Sequence, residues 1–314
     1  MTSTKGIPDE QSYDYLTKTT RLTGVPETLK RKSCWNPVLF EMPDGELWLF
    51  FKIGTTVGDW TGWLCKSKDG GLTWSDKQPL GYATVPDGSP SGSQFPLLGP
   101  IKNKPELIDG RLLCGSSTED KGWRFHMEIL DLSDGRWKSD TPVRDLNWKY
   151  IPVESTEAIK TDDNQPHPID CIQPSILRLK DGRLQALMRT HNARLATSFS
   201  SDRGSTWTPV TLSEVENNQS GTDAVTLSDG RHALIYNNFA TLPLTKKGVR
   251  TPISIAVSAD GQSWHHALTL EDSPIDQYSY PAIIQGRDGT LHCVYTWRRQ
   301  RVAYKAIDVR KLEW

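Results

Sequence analysis

The stretch SKDGGLTW, Ser67 to Trp74, returns as SSDRGSTW at Ser200–Trp207 and, one residue shorter, as SADGQSW at Ser258–Trp264. In each copy an Asp and a Gly, residues that tolerate positive φ, form a turn closed by a tryptophan and flanked by strand-like runs. A chain that repeats one turn in this way repeats one supersecondary unit. A second signal runs beside the first. Asp-Gly pairs stand between strand-like runs at Asp44-Gly45, Asp109-Gly110, Asp181-Gly182, Asp229-Gly230 and Asp288-Gly289. NPVLFEMPDGELWLFF, IQPSILRLKDGRLQALM and YPAIIQGRDGTLHCVYTW each read as a β-hairpin on such a turn. Most Asp-Gly turns are followed, some 26 to 35 residues on, by a closing tryptophan: Trp74, Trp137 (in the degraded LSDGRW), Trp207 and Trp264.

The order is strand, Asp-Gly turn, strand, strand, Asp/Gly/Trp turn, strand. This is a four-stranded antiparallel unit, and such units are the blades of β-propellers. Five are readable, and no long helical periodicity competes with them. The 12 Trp and the 44 Gly plus Pro (24 + 20) in a chain only 36% hydrophobic fit an all-β repeat protein. The expected organisation is a single propeller domain over 1–314, with residues 1–30 as an N-terminal segment that closes the propeller.

Composition removes several function classes. The formal net charge of −1, without a dense Lys/Arg run, argues against phosphate-driven nucleic-acid binding. No apolar stretch is long enough to span a bilayer, so no membrane partner is expected. The N-terminus lacks the apolar core of a signal peptide, which places the chain in the cytoplasm as it stands, or outside the cell if the N-terminus is incomplete. Five cysteines without CxxC spacing read as buried free thiols. Seven histidines without ligand spacing predict neither metal nor other cofactor.

Blade geometry says where chemistry should sit. Both the Asp-Gly turns and the Asp/Gly/Trp turns lie at one end of the blades. The other end collects the starts of each first strand (A), the ends of each second (B) and the starts of each third (C). A-strand starts carry Asn36, Lys102 and Lys104, Gln173, Asp223, and Tyr278 with Tyr280; B-strand ends carry Glu119, Arg189, Asn237 and Arg298-Arg299; C-strand starts carry Arg124 with His126, and Arg250. Several arginines around one pocket point to an anionic ligand, most simply a carboxylate held by paired N–H groups. Blander readings stand beside these. Arg298-Arg299 also reads as a solvated strand end, Glu119 as a turn cap, His126 as a hydrogen-bonded structural histidine, and one of the two tyrosines as core.

The repeated S-x-D-x-G-x-x-W turns resemble the Asp-boxes of the sialidase (neuraminidase) superfamily. CWNPVLF, GPIKNKP, SSTE, IQPSIL, SGTDAV and YSYPAIIQ look like its BNR-repeat, sialidase-like branch. The resemblance implies a six-bladed propeller that holds a substrate carboxylate with three arginines. It also implies a tyrosine nucleophile paired with a glutamate, and an aspartate as general acid/base. By position, Arg189 resembles the second arginine, Arg250 the third, and Tyr278 the nucleophile, with Tyr280 as the alternative. The chain departs from this pattern at Gln173, which stands where the glutamate is expected and cannot act as a base. The blade that carries the first arginine and the aspartate has too few residues ahead of Asn36 to form. Asp59 is the nearest substitute for the acid.

Three functions fit these residues. One is an exo-acting glycoside hydrolase on an acidic sugar, with Arg189 and Arg250 on the carboxylate, Tyr278 or Tyr280 attacking, and Glu119 or Asp223 moving the proton. Another is a polysaccharide lyase on uronates with a Tyr or His base. The last is a non-catalytic propeller that binds a glycan or a protein. In the first two the partner is an acidic oligosaccharide or polysaccharide, bound also by Lys102, Lys104, Asn36, Gln173, Asn237 and Arg298.

Overall fold

A computed structural model of the chain describes residues 13–14, 19–20, 32–84, 94–120, 122–159, 165–239, 249–275 and 277–312. It is a five-bladed β-propeller of antiparallel sheets. Blade 1 comprises Cys34–Glu41, Leu47–Ile53, Thr61–Ser67 and Gln78–Pro79. Blade 2 comprises Glu106–Ile108, Arg111–Thr118, Arg124–Asp131 and Trp148–Pro152. Blade 3 comprises Cys171–Arg178, Leu184–Thr190, Arg194–Ser200 and Thr211–Glu216. Blade 4 comprises Asp223–Thr226, His232–Tyr236, Ile253–Ser258 and His265–Glu271. Blade 5 has, among the described residues, the strands Tyr278–Gln285, Thr290–Trp297 and Arg301–Asp308. The strands of each blade run in chain order, A innermost.

Each expected Asp-Gly turn joins an A strand to its B strand, with the glycines at φ between 76 and 88°. In four of them the Asp Oδ1 accepts the N–H two residues on, at 3.0–3.1 Å (Glu46, Arg183, Arg231 and Thr290). The Asp-boxes join C to D, and their closure repeats. Asp69 accepts from Ser67 Oγ and Thr73 N, and Trp74 Nε1 donates to Gly71 O at 3.0 Å. Asp202 and Trp207 make the same bonds, as do Asp260 and Trp264. The hydrogen bonds of Thr73 and Ser67 hold the Asp69 carboxyl down at about 2. LSDGRW departs from the pattern. Its Trp137 sits in a short 3-10 turn, Arg136–Lys138, and packs edge-on against Trp48.

The core is a series of apolar clusters between neighbouring blades. Val38, Phe50 and Leu64 of blade 1 meet Leu112, Leu130 and Trp148 of blade 2. Comparable clusters join blades 2 and 3, 3 and 4, and 4 and 5. Among the described residues no such cluster joins blade 5 to blade 1. Cys114, Cys171 and Cys293 are buried, as expected of free thiols, and burial pushes the last two up to about 12. Cys34, the first residue of its strand, is exposed and Cys65 is half-buried, contrary to that expectation.

At the axis the segment Lys102-Asn103-Lys104 ties the blades together. Lys102 Nζ donates to Thr222 O and Pro281 O, in blades 4 and 5, at 2.7 and 2.8 Å. Asn103 Nδ2 donates to Gln173 O and Ser175 Oγ of blade 3. Lys104 Nζ reaches Asp223 and Ala224 O of blade 4. Asp223 also accepts from Ser175 Oγ, Ala224 N and Ile283 N. Asp223 and Lys104 thus hold neighbouring blades together and are not among the residues that line the pocket described below. Their charges are spent on each other and on inner-edge backbone.

Two outcomes follow for stability. Asp223→Ala strands the Lys104 ammonium and three polar groups, so urea unfolding should show a loss of about 3–5 kcal/mol. His232, beneath Trp264 in blade 4, is held down at about 4, chiefly by burial and then by Lys180. Its ordinary value is 6.5, so between about 6.5 and 4 the unfolded chain binds the proton that the fold refuses. Stability should fall as pH drops through that window, and His232→Gln should lose less over it, as read from urea midpoints at both ends.

Candidate active site

The opposite end of the axis opens into a pocket of about 740 Å³, lined from all five blades. Its position follows from a backbone device used three times. Strand A carries a bulge between Trp35 and Val38, between Ile172 and Ser175, and between Ser279 and Ala282. At each, one residue takes positive φ and a proline follows: Asn36 (44°), Gln173 (59°) and Tyr280 (51°). Proline has no N–H for the ladder, and the left-handed residue turns its side chain out of the pleat. All three line the pocket, with Lys102, itself at φ 66°. Such backbone costs on the order of 1–3 kcal/mol per residue and persists where the surroundings impose it.

The bulge also separates the two tyrosines. Tyr278 is 1% exposed and packs against Tyr295 and Trp297 in the blade 4–5 core. Tyr280 is 39% exposed and lies in the pocket. Of the two tyrosines, Tyr280 is the one that lines the pocket. The sequence order of preference is reversed because the bulge breaks the alternation that would put both rings on one face.

Arg189 and Arg250 converge on Tyr280. The Arg250 guanidinium lies 5.1 Å from the centre of its ring, and the Tyr280 hydroxyl bonds the Arg189 side chain. Burial lowers the Arg189 pKa, while Tyr280 and Glu119 beside it act to raise it and Arg250 to lower it. Arg189 is 7% exposed, and its Nε has no hydrogen-bond partner among the described residues. The buried Gln173 Oε1 is likewise unpaired. Arg189 also packs on Trp123, 4.6 Å from the ring centre, and Trp123 stacks on His191 at 3.7 Å.

Burial pulls the Lys102 amine down to about 7 against the opposing effect of Asp223, and Arg189 adds to the lowering. Three oxygens, of Asn103, Thr222 and Pro281, nevertheless match the three protons of an ammonium. The geometry makes Lys102 a cation at the pocket floor. Gly221 is what admits it. A Cβ there would stand 2.8 Å from Lys102 Cε.

Other expected site residues lie elsewhere. His126 is 2% exposed, bonded to Glu128 and stacked on Tyr150. Asn237 is buried and donates to Pro252 O and Tyr278 O. Arg298 bonds Ser273 and covers Trp297, while its neighbour Arg299 lines the pocket. Asp59 caps the exposed turn at Thr55 and Thr56. Lys104 and Asp223 belong to the axial tie described above. Asn36, Lys102, Glu119, Gln173, Arg189, Arg250 and Tyr280 are brought together. Trp60, Trp123, His191 and Gln219 join them without having been anticipated, and of the pair Arg298-Arg299 it is Arg299 that lines the pocket. For Trp123 the sequence signal was one residue off. Arg124 at the same strand start turns away to Asp170 at 2.5 Å, because neighbours on a strand face opposite sides.

The family model of the BNR repeat-like domain matches residues 15–293. The chain belongs to that family. It is thereby a member of the sialidase-like superfamily. It is 24% identical over 266 residues to the anhydrosialidase of Macrobdella decora, an alignment covering 79% of this chain and 31% of that protein. The chain thus spans about a third of the length of this curated relative. Among solved structures it is similar to a Dyadobacter fermentans protein of unknown function, with TM-score 0.61, 17% identity, and coverage of 89% and 78% of the two chains. It is also similar to Trypanosoma rangeli sialidase bound to 2,3-difluorosialic acid as a covalent intermediate, with TM-score 0.56, 16% identity, and coverage of 88% and 44%. A third is the leech intramolecular trans-sialidase with 2,7-anhydro-Neu5Ac, with TM-score 0.51, 18% identity, and coverage of 83% and 38%. These structural likenesses speak to the fold. Among the described residues there is no group of three or more His, Cys, Asp or Glu suited to a metal, and no helix long and apolar enough to cross a membrane.

The tyrosine assignment separates cleanly by mutation. Tyr278→Ala should empty a core site and cost about 3–5 kcal/mol in denaturant unfolding. Tyr280→Ala, at an exposed ring, should stay within roughly 1 kcal/mol of the parent.

Proposed function

We propose that the pocket binds a carboxylated sugar and that the protein is an acidic-glycan-active enzyme, a glycoside hydrolase with Tyr280 as nucleophile. The observation that carries this reading is the convergence of Arg189 and Arg250 on the one pocket tyrosine, with buried polar atoms left unpaired beside it. Two guanidinium groups present forked N–H donors to a carboxylate, and Arg299 lines the same pocket. Negative charge developing on the phenolic oxygen is stabilised by the Arg189 bond. A neutral phenol also meets an anionic sugar without the repulsion a carboxylate would suffer. In this reading the phenolic oxygen attacks the anomeric carbon and its proton passes to Glu119. The bond to the leaving oxygen breaks as that oxygen takes a proton from solvent water, and a second water then attacks the anomeric carbon, releasing the sugar as Glu119 returns its proton to the Tyr280 oxygen. The acidic-sugar chemistry named for the Trypanosoma rangeli and leech structures agrees with such a substrate.

A lyase reading has its own support. Glu119 is the carboxylate among the pocket-lining residues, and Gln173 offers an amide where a paired base is expected. Elimination needs less. Tyr280, as phenolate, takes the proton α to the uronate carboxylate. The C4–O bond breaks as the C4–C5 double bond forms, and the same hydroxyl returns the proton to the leaving oxygen. His126, buried away from the pocket, has no part in it.

Arg189→Ala and Arg250→Ala should each lower kcat/KM on an acidic glycan about 10²–10³-fold with the fold intact. Tyr280→Phe should remove about 10⁴-fold or more from kcat with KM little changed. Unaltered turnover in either arginine variant overturns the carboxylate clamp. Product absorbance in the near ultraviolet decides between the chemistries, since only elimination leaves an unsaturated uronate. A panel of sialosides and uronate oligosaccharides that yields no turnover, yet binds in calorimetry, would make the propeller a glycan-binding module.

A further inference from the structure

The connection from blade 1 to blade 2 ends, over residues 94–104, by running inward between the two blades to become the axial plug. Leu97, Leu98, Gly99, Pro100 and Ile101 form no strand, yet all five are buried, so their backbone groups need partners. Blades 1 and 2 both supply them. Leu97 N donates to Gly81 O and Ile101 N to Gly115 O, each at 3.0 Å. The others are charged side chains. Glu128 accepts Leu98 N at 2.9 Å through Oε1 and Gly99 N at 2.7 Å through Oε2. Lys52 Nζ donates to Pro100 O. Glu128 and Lys52 are both 0% exposed.

The carboxylate is itself held from behind. Glu128 stands opposite Cys114 and Tyr150 on the neighbouring strands, and His126 Nε2 bonds its Oε1 at 3.0 Å. The His126 ring stacks on Tyr150, and Tyr150 stacks on Phe95 of the connection at 4.7 Å. Burial pulls the Lys52 amine down to about 7, and Glu128 is the largest influence against that fall. Two buried charges are a costly way to fix irregular chain where apolar packing would serve for stability. What lies next to that chain is the pocket. Lys102, at the pocket floor, follows three residues after Gly99. Leu98 and Ile101 pack with Trp60 and Trp35, which line the pocket wall.

We propose that Glu128 is a positioning residue for the pocket. With Lys52 it fixes the course of Leu98, Gly99 and Pro100, and so sets where Lys102 and the Trp60 wall meet a ligand. His126, bonded to the same carboxylate, orients it. The inference concerns how the pocket is held in shape and is independent of what the pocket binds.

A pair of variants of the full chain tests it. Glu128→Gln keeps the volume and one acceptor oxygen, but turns an amide N–H toward a backbone N–H that had a carboxylate oxygen. Ile129→Ala is the comparison: Ile129 is next on the strand and buried on the opposite face, against blade 3. In protein labelled with 15N-lysine, the Lys102 ammonium, with its three oxygen partners, should give a resolved Nζ resonance at pH 6, identified by its loss in Lys102→Met. Glu128→Gln should broaden or move that resonance. It should also speed amide exchange at Ile101 and Asn103, neither of which donates to Glu128, by about tenfold. Ile129→Ala should leave both readouts as in the parent, although its Tm falls. If Glu128→Gln does not fold, His126→Leu removes the orienting bond instead and should speed the same amides by about threefold. An unmoved Lys102 resonance with unchanged exchange at Ile101 and Asn103 overturns the proposal. Equal changes in Ile129→Ala overturn it too, because Glu128 then acts through stability alone.

Discussion

The axial contacts of Lys102, Asn103 and Lys104 are the constraint on which the rest of this propeller depends. Radial blades cannot pair their A strands with one another, so the inner edges leave backbone N–H and C=O groups facing the axis. Buried groups of that kind need partners. Here one irregular segment supplies them: Lys102 to Thr222 O and Pro281 O, Asn103 to Gln173 O, and Lys104 to Ala224 O. Asp223 answers from blade 4 by accepting Ile283 N of blade 5. The short A strand of blade 2, Glu106–Ile108, is the cost of this arrangement, since its first half serves as a plug and not as a strand.

The same region forms the floor of the pocket, so stability and function share atoms there. Lys102 spends its protons on the scaffold yet brings positive charge to the pocket. Gln173 gives its carbonyl to Asn103 and leaves its side-chain oxygen unpaired. Three bulges, each a positive-φ residue followed by proline, aim Asn36, Gln173 and Tyr280 at the centre. Local strain is placed where a side chain must leave the plane of its sheet, and the packed blades behind it hold it there.

Much of the site was legible because blades are regular. Once the Asp-Gly and Asp-box turns mark one end, A-strand starts and B-strand ends must lie at the other, and Arg189, Glu119 and Gln173 follow. The misplacements have a common cause. Tyr278 against Tyr280, Arg298 against Arg299 and Arg124 against Trp123 are each shifts of one or two residues at a strand end. A bulge or a positive-φ turn there changes which side chain faces the axis. His126 and Asp223 were misplaced for a different reason. Polar residues near the axis are needed by the scaffold as much as by a ligand, and only their bond partners separate the two uses.

By itself, then, the sequence determined the blade as a unit, the turns that join its strands and the end at which polar groups gather. These are local properties of period-two alternation and of Asp-Gly chemistry, written over ten or so adjacent residues. Only the tertiary structure decided which tyrosine meets the arginines and which lysine is spent on Asp223. Those outcomes depend on contacts between residues of different blades about 30 to 180 positions apart, such as Arg250 with Tyr280 and Lys102 with Pro281, and no local pattern encodes such partners.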